Sequence, residues 1–439
     1  MIIQKFGGTS VGTPERMQQV ADLVSGVGQK IVVLSAISGT TNALVEIAQS
    51  LYAKKNEKAV EQIGKLRAHY QGFIQKLYSS EETKSNANGL LEEHFNYLKS
   101  FTVDLFTIYE EKAVLAQGEL LSTALFQFYL EEQKIPSVLL PALNFMRIDK
   151  DSEPDMFYIK QNLHKELEKY TDNQLFISQG YICRDAYGEI ANLKRGGSDY
   201  TASIIGAAVD ADEIQIWTDV DGMHNNDPRL IENTFPISDL SFDEAAELAY
   251  FGAKILHPAS IRPAKDKNIP VRLKNTIKPD APGTLITAES KGEGIKAVAA
   301  KDGITAIKIR SGRMLLAYGF LRSVFEVFER YKTPIDMITT SEVGVSITID
   351  DTTHLERIVN ELEEFGTVEI DADQSIICVV GDYLAEKQGI AAQVFQSLKD
   401  ISVRMISFGG SKNNISLLVH SKHKKEALLA INKGLFKKS

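Results

Sequence analysis

Ile2-Ile3-Gln4-Lys5-Phe6-Gly7-Gly8-Thr9-Ser10-Val11-Gly12-Thr13-Pro14 is the stretch whose reading decides the fold class. Its first five residues read as a strand. Glycines follow, and Thr13 with Pro14 mark the N-cap and first position of a helix. A threonine hydroxyl accepts from a free first-turn N–H, and proline brings no N–H that would be left over. Met17, Val20, Ala21 and Val24 give this helix an apolar stripe. Residues 30–36 (KIVVLSA) form a nearly continuous apolar run, as a strand covered on both faces requires. Leu44, Ile47, Ala48 and Leu51 then predict the next helix. Residues 56–134 keep a helical period, with the polar stretch 79–88 separating two helices. Strands return at residues 175–182 and 213–220, and Ser241-Phe242-Asp243-Glu244 has the form of a capping box. Alternation of this kind predicts an α/β fold with an open, mainly parallel sheet sandwiched by helices.

Around residues 289–294 (ESKGEG) the chain turns polar and glycine-rich, and the main boundary is placed there. Beyond it the pattern repeats: Gly319 precedes Val324-Phe325 and Gly389 precedes Val394-Phe395 at the same spacing. Each repeat reads β-α-β-β-α. The first continues into a strand near residues 367–370, whereas the second lacks a last strand, which the run 295–300 (IKAVAA) could supply. Two interleaved ferredoxin-like (βαββαβ) units are therefore expected. The expected domains are 1–288, a linker 289–294, a first unit 303–373, and a second made from 295–302 and 374–439.

The length of 439 residues suggests about three domains. A net charge of −9 argues against nucleic acid as a partner, because binding a phosphate backbone needs a clustered basic surface. Cys183 and Cys378 have no metal-ligand spacing between them, so neither a disulfide framework nor a zinc site follows. No apolar stretch approaches a membrane span, and the first strand leaves no room for a signal peptide. A cytoplasmic protein with no membrane partner is expected.

Several glycine- and hydroxyl-rich segments fall where strands end and helices begin, the place where open α/β sheets bind ligands. Gly7 and Gly8 would let backbone N–H groups approach phosphate oxygens, with Lys5 adding a point charge, although a tight turn needs the same glycines. Ser35 to Asn42 (SAISGTTN) places hydroxyls after the second strand, for a polar substrate or for a turn and cap. Arg195-Gly196-Gly197-Ser198-Asp199 opens a helix whose N-terminus favours an anion, and arginine can clamp a carboxylate bidentately. The loop after Thr218 and Asp219 carries Arg229, and Lys254 follows the predicted 241 helix. Cations and backbone donors gathered in an acidic protein suit phosphoryl transfer. Neither G-x-x-x-x-G-K-[ST] nor G-x-G-x-x-G occurs, which disfavours a P-loop protein and a Rossmann dehydrogenase.

KFGGTSV at 5–11, VVLSA with GTTN at 32–42, GELLST at 118–123, RGGSDYT at 195–201, WTDVDG at 217–222 and FGAKILHP at 251–258 together resemble the aspartokinases. These are members of the amino-acid kinase fold with paired C-terminal ACT units, and the resemblance is to monofunctional, lysine-sensitive forms. It implies ATP and L-aspartate as substrates, 4-phospho-L-aspartate and ADP as products, and a place in lysine, threonine and methionine biosynthesis. It implies that Lys5, Phe6, Gly7, Gly8, Thr218, Asp219, His224, Arg229, Lys254 and Ile255 bind ATP. Ser35, Thr41, Glu119, Arg195, Gly196, Gly197 and Ser198 would hold aspartate. Lys5, Asp199 and Lys254 would be catalytic, and Mg2+ would ride on the ATP phosphates without protein side-chain ligands. The family often has tyrosine where this chain has His224, so altered nucleotide contacts are expected there.

The same resemblance implies an effector site at Met314, Ala317, Gly319, Phe320, Leu321, Pro334, Ile335, Asp336, Ser341, Glu342 and Val343, with homo-oligomers forming through the ACT units. Lysine is the expected effector, with threonine open. Two other readings remain at this stage: a kinase acting on a glutamate-type substrate, and a non-catalytic amino-acid sensor.

Overall fold

A computed structural model of the chain describes residues 1–193, 196–252, 256–291, 294–312 and 318–436. Its contacts divide it into two compact units. The first comprises Met1–Met223, Ser238–Phe242 and Ile255–Glu289; the second comprises His224–Ile237, Asp243–Lys254 and Ser290–Ser439. Segments 224–237 and 243–254 thus group with the C-terminal part, where the sequence placed a single boundary near residue 289. Among the described residues no helix is long and apolar enough to cross a membrane.

In the first unit, β1 (Ile2–Phe6) runs parallel to β2 (Lys30–Leu34) on one side and to β7 (Glu213–Thr218) on the other. The sheet extends to β3 (Val138–Leu140), β4 (Leu175–Gln179), β8 (Asp239–Ser241), β9 (Val271–Asn275) and β10 (Thr284–Thr287), in the order β3-β4-β2-β1-β7-β9-β10-β8. Only the β9–β10 pair is antiparallel, so the mainly parallel sheet expected from the sequence is present. β5 (Ile182–Arg184) and β6 (Ile190–Asn192) make a separate ribbon.

The helices follow from their caps and stripes. α1 (Pro14–Val24) has Thr13 as N-cap, its hydroxyl accepting from Arg16 N–H, and buries Met17, Val20, Ala21 and Val24. α2 (Thr40–Tyr52), α3 (Asn56–Leu77), α4 (Glu81–Ser100) and α5 (Ile108–Glu132) pack their apolar stripes into one core with β2 and β4. α5 opens with a capping box of Thr107 and Glu110. α6 (Ala142–Phe145), α7 (Met156–Glu168), α8 (Gly197–Ala208) and α10 (Arg262–Asp266) complete the unit.

Two local expectations change. The polar stretch 79–88 is mostly helix: Ser80 caps α4, accepting from Thr83 N–H, and Glu81 and Glu82 sit favourably in its positive first turn. The strand expected over 175–182 stops at Gln179, because the chain turns at Gly180 and Tyr181, the latter at φ 67°.

In the second unit, α9 (Phe242–Tyr250), counted from Asp243 on, accompanies a six-stranded sheet of order β12-β13-β11-β14-β16-β15. Its strands are β11 (Gly294–Arg310), β12 (Ile338–Ser341), β13 (Gly344–Ile349), β14 (Thr367–Asp382), β15 (Met405–Phe408) and β16 (Asn414–His420). α11 (Phe320–Arg330) and α12 (Leu355–Leu362) serve the first ferredoxin-like repeat; α13 (Ile390–Ser397) and α14 (Lys424–Leu435) serve the second. Gly319 and Gly389 cap α11 and α13 with the same left-handed backbone, φ 86° and 81°, which explains the repeated glycine. The interleaving is carried by two long strands. The first half of β11 pairs with the second half of β14, closing the second repeat, while their other halves pair to close the first. The spare run at 295–300 is thus the missing strand.

Candidate active site

The register of the parallel sheet aligns the strand ends. Phe6 lies opposite Leu34 and Trp217, and Leu34 opposite Gln179. The loops after β1, β2 and β4 therefore leave the sheet at one edge, and α2 and α8 begin beside them. Each of these helices has a left-handed glycine at its N-cap, Gly39 at φ 84° and Gly196 at φ 77°. Glycine offers no side-chain acceptor, so first-turn N–H groups and the positive helix ends remain available to an anion.

Between these helix starts lies a cavity of about 480 Å3, lined by Gly8, Ser35, Thr41, Glu119, Tyr181 and Ser198 among others. The Ser35 hydroxyl donates to Ser198 Oγ (2.8 Å), and the Ser122 hydroxyl donates to the Ser35 carbonyl (2.8 Å). Glu119, on α5, is 4% exposed. Its Oε1 accepts from Ala36 N–H (3.2 Å), while Oε2 is buried with no hydrogen-bond partner among the described residues. Burial pushes the Glu119 carboxyl up to about 8, opposed by the Ala36 hydrogen bond and the charge of Lys5.

Lys5 points from β1 to Asp199 on the first turn of α8, Nζ to Oδ1 2.6 Å, with side chains 13% and 16% exposed. Gly7 leaves space beside this pair, where a Cβ would meet Lys5 Nζ at 3.4 Å, while Gly8 lets the loop after β1 approach the one after β2, where a Cβ would meet the Ala36 carbonyl oxygen at 2.9 Å. Phe6 is fully buried and stacks on Trp217 (5.5 Å between centroids), so its side chain is core and only its backbone adjoins the loop. The Thr218 hydroxyl donates to Asp219 Oδ1 (3.2 Å), with Asp219 exposed.

Gly8, Ser35, Thr41, Glu119, Gly197 and Ser198 thus line one cavity, and the Lys5–Asp199 pair stands near enough for the Lys5 charge to act on Glu119. Gly196 stands just behind this cavity, where a Cβ would meet Ser260 Cβ at 2.8 Å. Arg195, Lys254, Ile255, Met314 and Ala317 lie outside the described residues. His224 and Arg229 belong to the second unit: His224 Nδ1 is 3.0 Å from Thr234 Oγ1, and Arg229, 74% exposed, grips Asp227 through Nε (2.9 Å) and Nη2 (2.8 Å). Tyr181 lines the cavity but carries no motif in the sequence; only its left-handed backbone marks it.

Of the effector residues, Gly319, Phe320 and Leu321 open α11, while Pro334 and Ile335 precede Asp336. Ser341, Glu342 and Val343 form the exposed turn between β12 and β13. The Asp336 N–H donates to the Thr348 carbonyl (2.9 Å), and its side chain is 1% exposed.

The sequence profile of the amino acid kinase family matches residues 1–275, and an ACT domain profile matches residues 377–435. Lysine-sensitive aspartokinase 3 of Escherichia coli (strain K12) is 32% identical over 99% of both chains. Chloroplastic aspartokinase 2 of Arabidopsis thaliana is 33% identical over 99% of this chain and 84% of its own. The chain belongs to the aspartokinase family. Aspartokinases are kinases that act on aspartate, and the ACT units identify an allosterically regulated member. Among solved structures, E. coli aspartokinase III in complex with aspartate and ADP superposes with a TM-score of 0.83, at 31% identity and full coverage of both chains. The aspartate kinase of Clostridium acetobutylicum gives 0.85, at 26% identity over 99% of this chain and all of the other.

Proposed function

We propose that this aspartokinase transfers the γ-phosphoryl group of ATP to the β-carboxylate of L-aspartate, releasing 4-phospho-L-aspartate and ADP, and that L-lysine restrains it through the ACT units. The observation that carries the reading is the buried Glu119 carboxylate, with one unpaired oxygen, in a cavity that two helix N-termini also border. An α-ammonium satisfies that oxygen, and the helix ends and Arg195 receive the α-carboxylate. Ser35, Thr41 and the segment Gly196-Gly197-Ser198 supply hydrogen bonds that orient the β-carboxylate outward, toward ATP.

Lys5 and Lys254 neutralise the transferring phosphoryl group, and Asp199 holds the Lys5 ammonium in place through its ion pair. Gly7 and Gly8 admit phosphate oxygens close to the backbone, with Phe6, Thr218, Asp219, His224, Arg229 and Ile255 assigned to the nucleotide from the family resemblance. Mg2+ would ride on the ATP phosphates, whose oxygens are the hard ligands it takes, and would there spread the charge of the transferring group. A complex of E. coli aspartokinase III with lysine and aspartate, similar to this chain at a TM-score of 0.82, supports lysine as effector. Exposed Tyr318, Leu321, Phe325 and Val343 suit self-association through the ACT units. A cytoplasmic place in lysine, threonine and methionine biosynthesis completes the reading.

ADP release measured with L-aspartate, L-glutamate and an N-acylated glutamate tests the acceptor. Turnover with L-aspartate is expected, and a preference for either glutamate overturns the assignment. Lys5→Ala is expected to lower kcat about 10²–10³-fold, the scale of losing a preorganised transition-state donor. Unchanged turnover would remove that role. Millimolar L-lysine, with L-threonine in parallel, tests the effector.

A further inference from the structure

The Asp336 carboxylate is held by two other elements of the second unit. Its Oδ1 accepts from Lys301 Nζ on β11 (2.6 Å) and from the Tyr250 hydroxyl at the end of α9 (2.7 Å). Lys301 also pairs with Asp350 (2.9 Å), and its ammonium lies 4.4 Å from the centroid of the Tyr250 ring. Two residues on, Gly252 (φ 126°) runs so close to β11 that a Cβ there would meet the Ala300 carbonyl oxygen at 2.2 Å. The end of α9 is therefore fastened to β11 at neighbouring points, one of them through Asp336.

Asp336 Oδ2 is buried and has no hydrogen-bond partner among the described residues. Burial first, and then its hydrogen bond to the Asp336 carboxylate, push the pKa of the Tyr250 hydroxyl up to about 12, so it is neutral. Among the described residues, two carboxylates, Asp336 and Asp350, thus share the ammonium of Lys301. Counted over the described residues, the cluster has one more negative than positive charge, and its unused acceptor is Oδ2. An organic ammonium arriving there draws the Asp336 charge away from Oδ1. Lys301 keeps a partner in Asp350, whereas the Tyr250 hydroxyl, which donates to Asp336, can turn to water.

We propose that Tyr250 and Lys301 are the positioning residues that convert effector binding into inhibition: an ammonium at Asp336 Oδ2 loosens the Tyr250 hydroxyl from Oδ1 and frees the end of α9. The proposal rests on Asp336 being the ammonium subsite of the effector. Linkage then requires that any change favouring the released state also tightens effector binding.

Tyr250→Phe removes only the hydroxyl and is tested in the full chain by steady-state ADP release and by calorimetry with L-lysine and L-threonine. The variant is expected to show lower activity without effector, at least threefold tighter L-lysine binding, and a smaller fractional inhibition. Lys301→Met, which removes the competing internal ammonium, is likewise expected to bind L-lysine more tightly. In the unmodified protein, hydrogen exchange over residues 243–250 is expected to quicken when L-lysine is added. Wild-type activity with an unmoved inhibition midpoint in Tyr250→Phe overturns the coupling and leaves the Asp336 subsite standing. Lower activity with weaker L-lysine binding marks a merely structural hydroxyl and also overturns it. If the unmodified protein binds neither amino acid, the subsite reading fails and the switch falls with it.

Discussion

Glu119 concentrates the chemistry of the site in one side chain. Burial holds its carboxyl near 8, far above the ordinary value of 4.5, so the empty site carries a proton at neutral pH. An ammonium ligand binds the ionised form, and below pH 8 the protonated carboxyl must first lose its proton. The KM for L-aspartate is therefore expected to rise about tenfold for each pH unit below 8 and to level off above it, as one-proton linkage dictates. Glu119→Gln should raise KM and flatten this profile. The same group acts on stability with a definite sign. The folded state retains a proton that the unfolded chain releases between pH 4.5 and about 8, so the Glu119 contribution to stability falls as pH rises through that window. Glu119→Gln should accordingly gain in thermal midpoint over the unmodified protein at pH 8 relative to pH 5. A midpoint difference independent of pH would show that Glu119 is not buried in its ionised form.

The elements matter because they deliver such residues to within tenths of an ångström. Gly118 brings α5 against the loop after β2: a Cβ there would stand 2.7 Å from Ala36 Cβ and 3.3 Å from Thr40 Cγ2. Alanine would improve helix propensity by about 1 kcal/mol, but the overpacking costs about 1–3 kcal/mol. Gly118→Ala is expected to lower stability by about 1 kcal/mol and, by displacing the Ala36 N–H that supports Glu119, to raise the KM for L-aspartate while leaving that for ATP near its original value. Equal rises in both would mean that the loop shift reaches the phosphate side. At this scale the sequence was readable where periodicity and caps agree, as with Thr13-Pro14 and the stripe of α1. It misled where composition outweighed position: residues 81–88 are polar but helical because Ser80 caps them. Tyr181 was invisible because a left-handed backbone at a non-glycine residue leaves no mark in a side-chain pattern.

Across the whole molecule, spacing carried more than any motif. The repeated glycine and the spare strand at 295–300 were enough to foresee the interleaved ferredoxin-like units, because a βαββαβ unit short of a strand must find it elsewhere in the chain. The environment of Asp336 was not foreseeable in the same way: Lys301 reaches it only through the register of β11 with its neighbours, and Tyr250 only through the path of α9. Sharing strands also has an energetic consequence. β11 and β14 run unbroken from one repeat into the other, so disorder in the half of a strand that serves one repeat reaches directly into the half that serves the other. The two ACT cores, one around Ile307 and the other around Ile377, should therefore melt together although their side chains form separate clusters. Ile307→Ala and Ile377→Ala each leave a cavity costing about 2–5 kcal/mol. In urea followed by hydrogen exchange, either substitution is expected to lower the protection of β13 and β16 alike. If Ile307→Ala weakens β13 and spares β16, the shared strands do not couple the repeats, and each folds on its own.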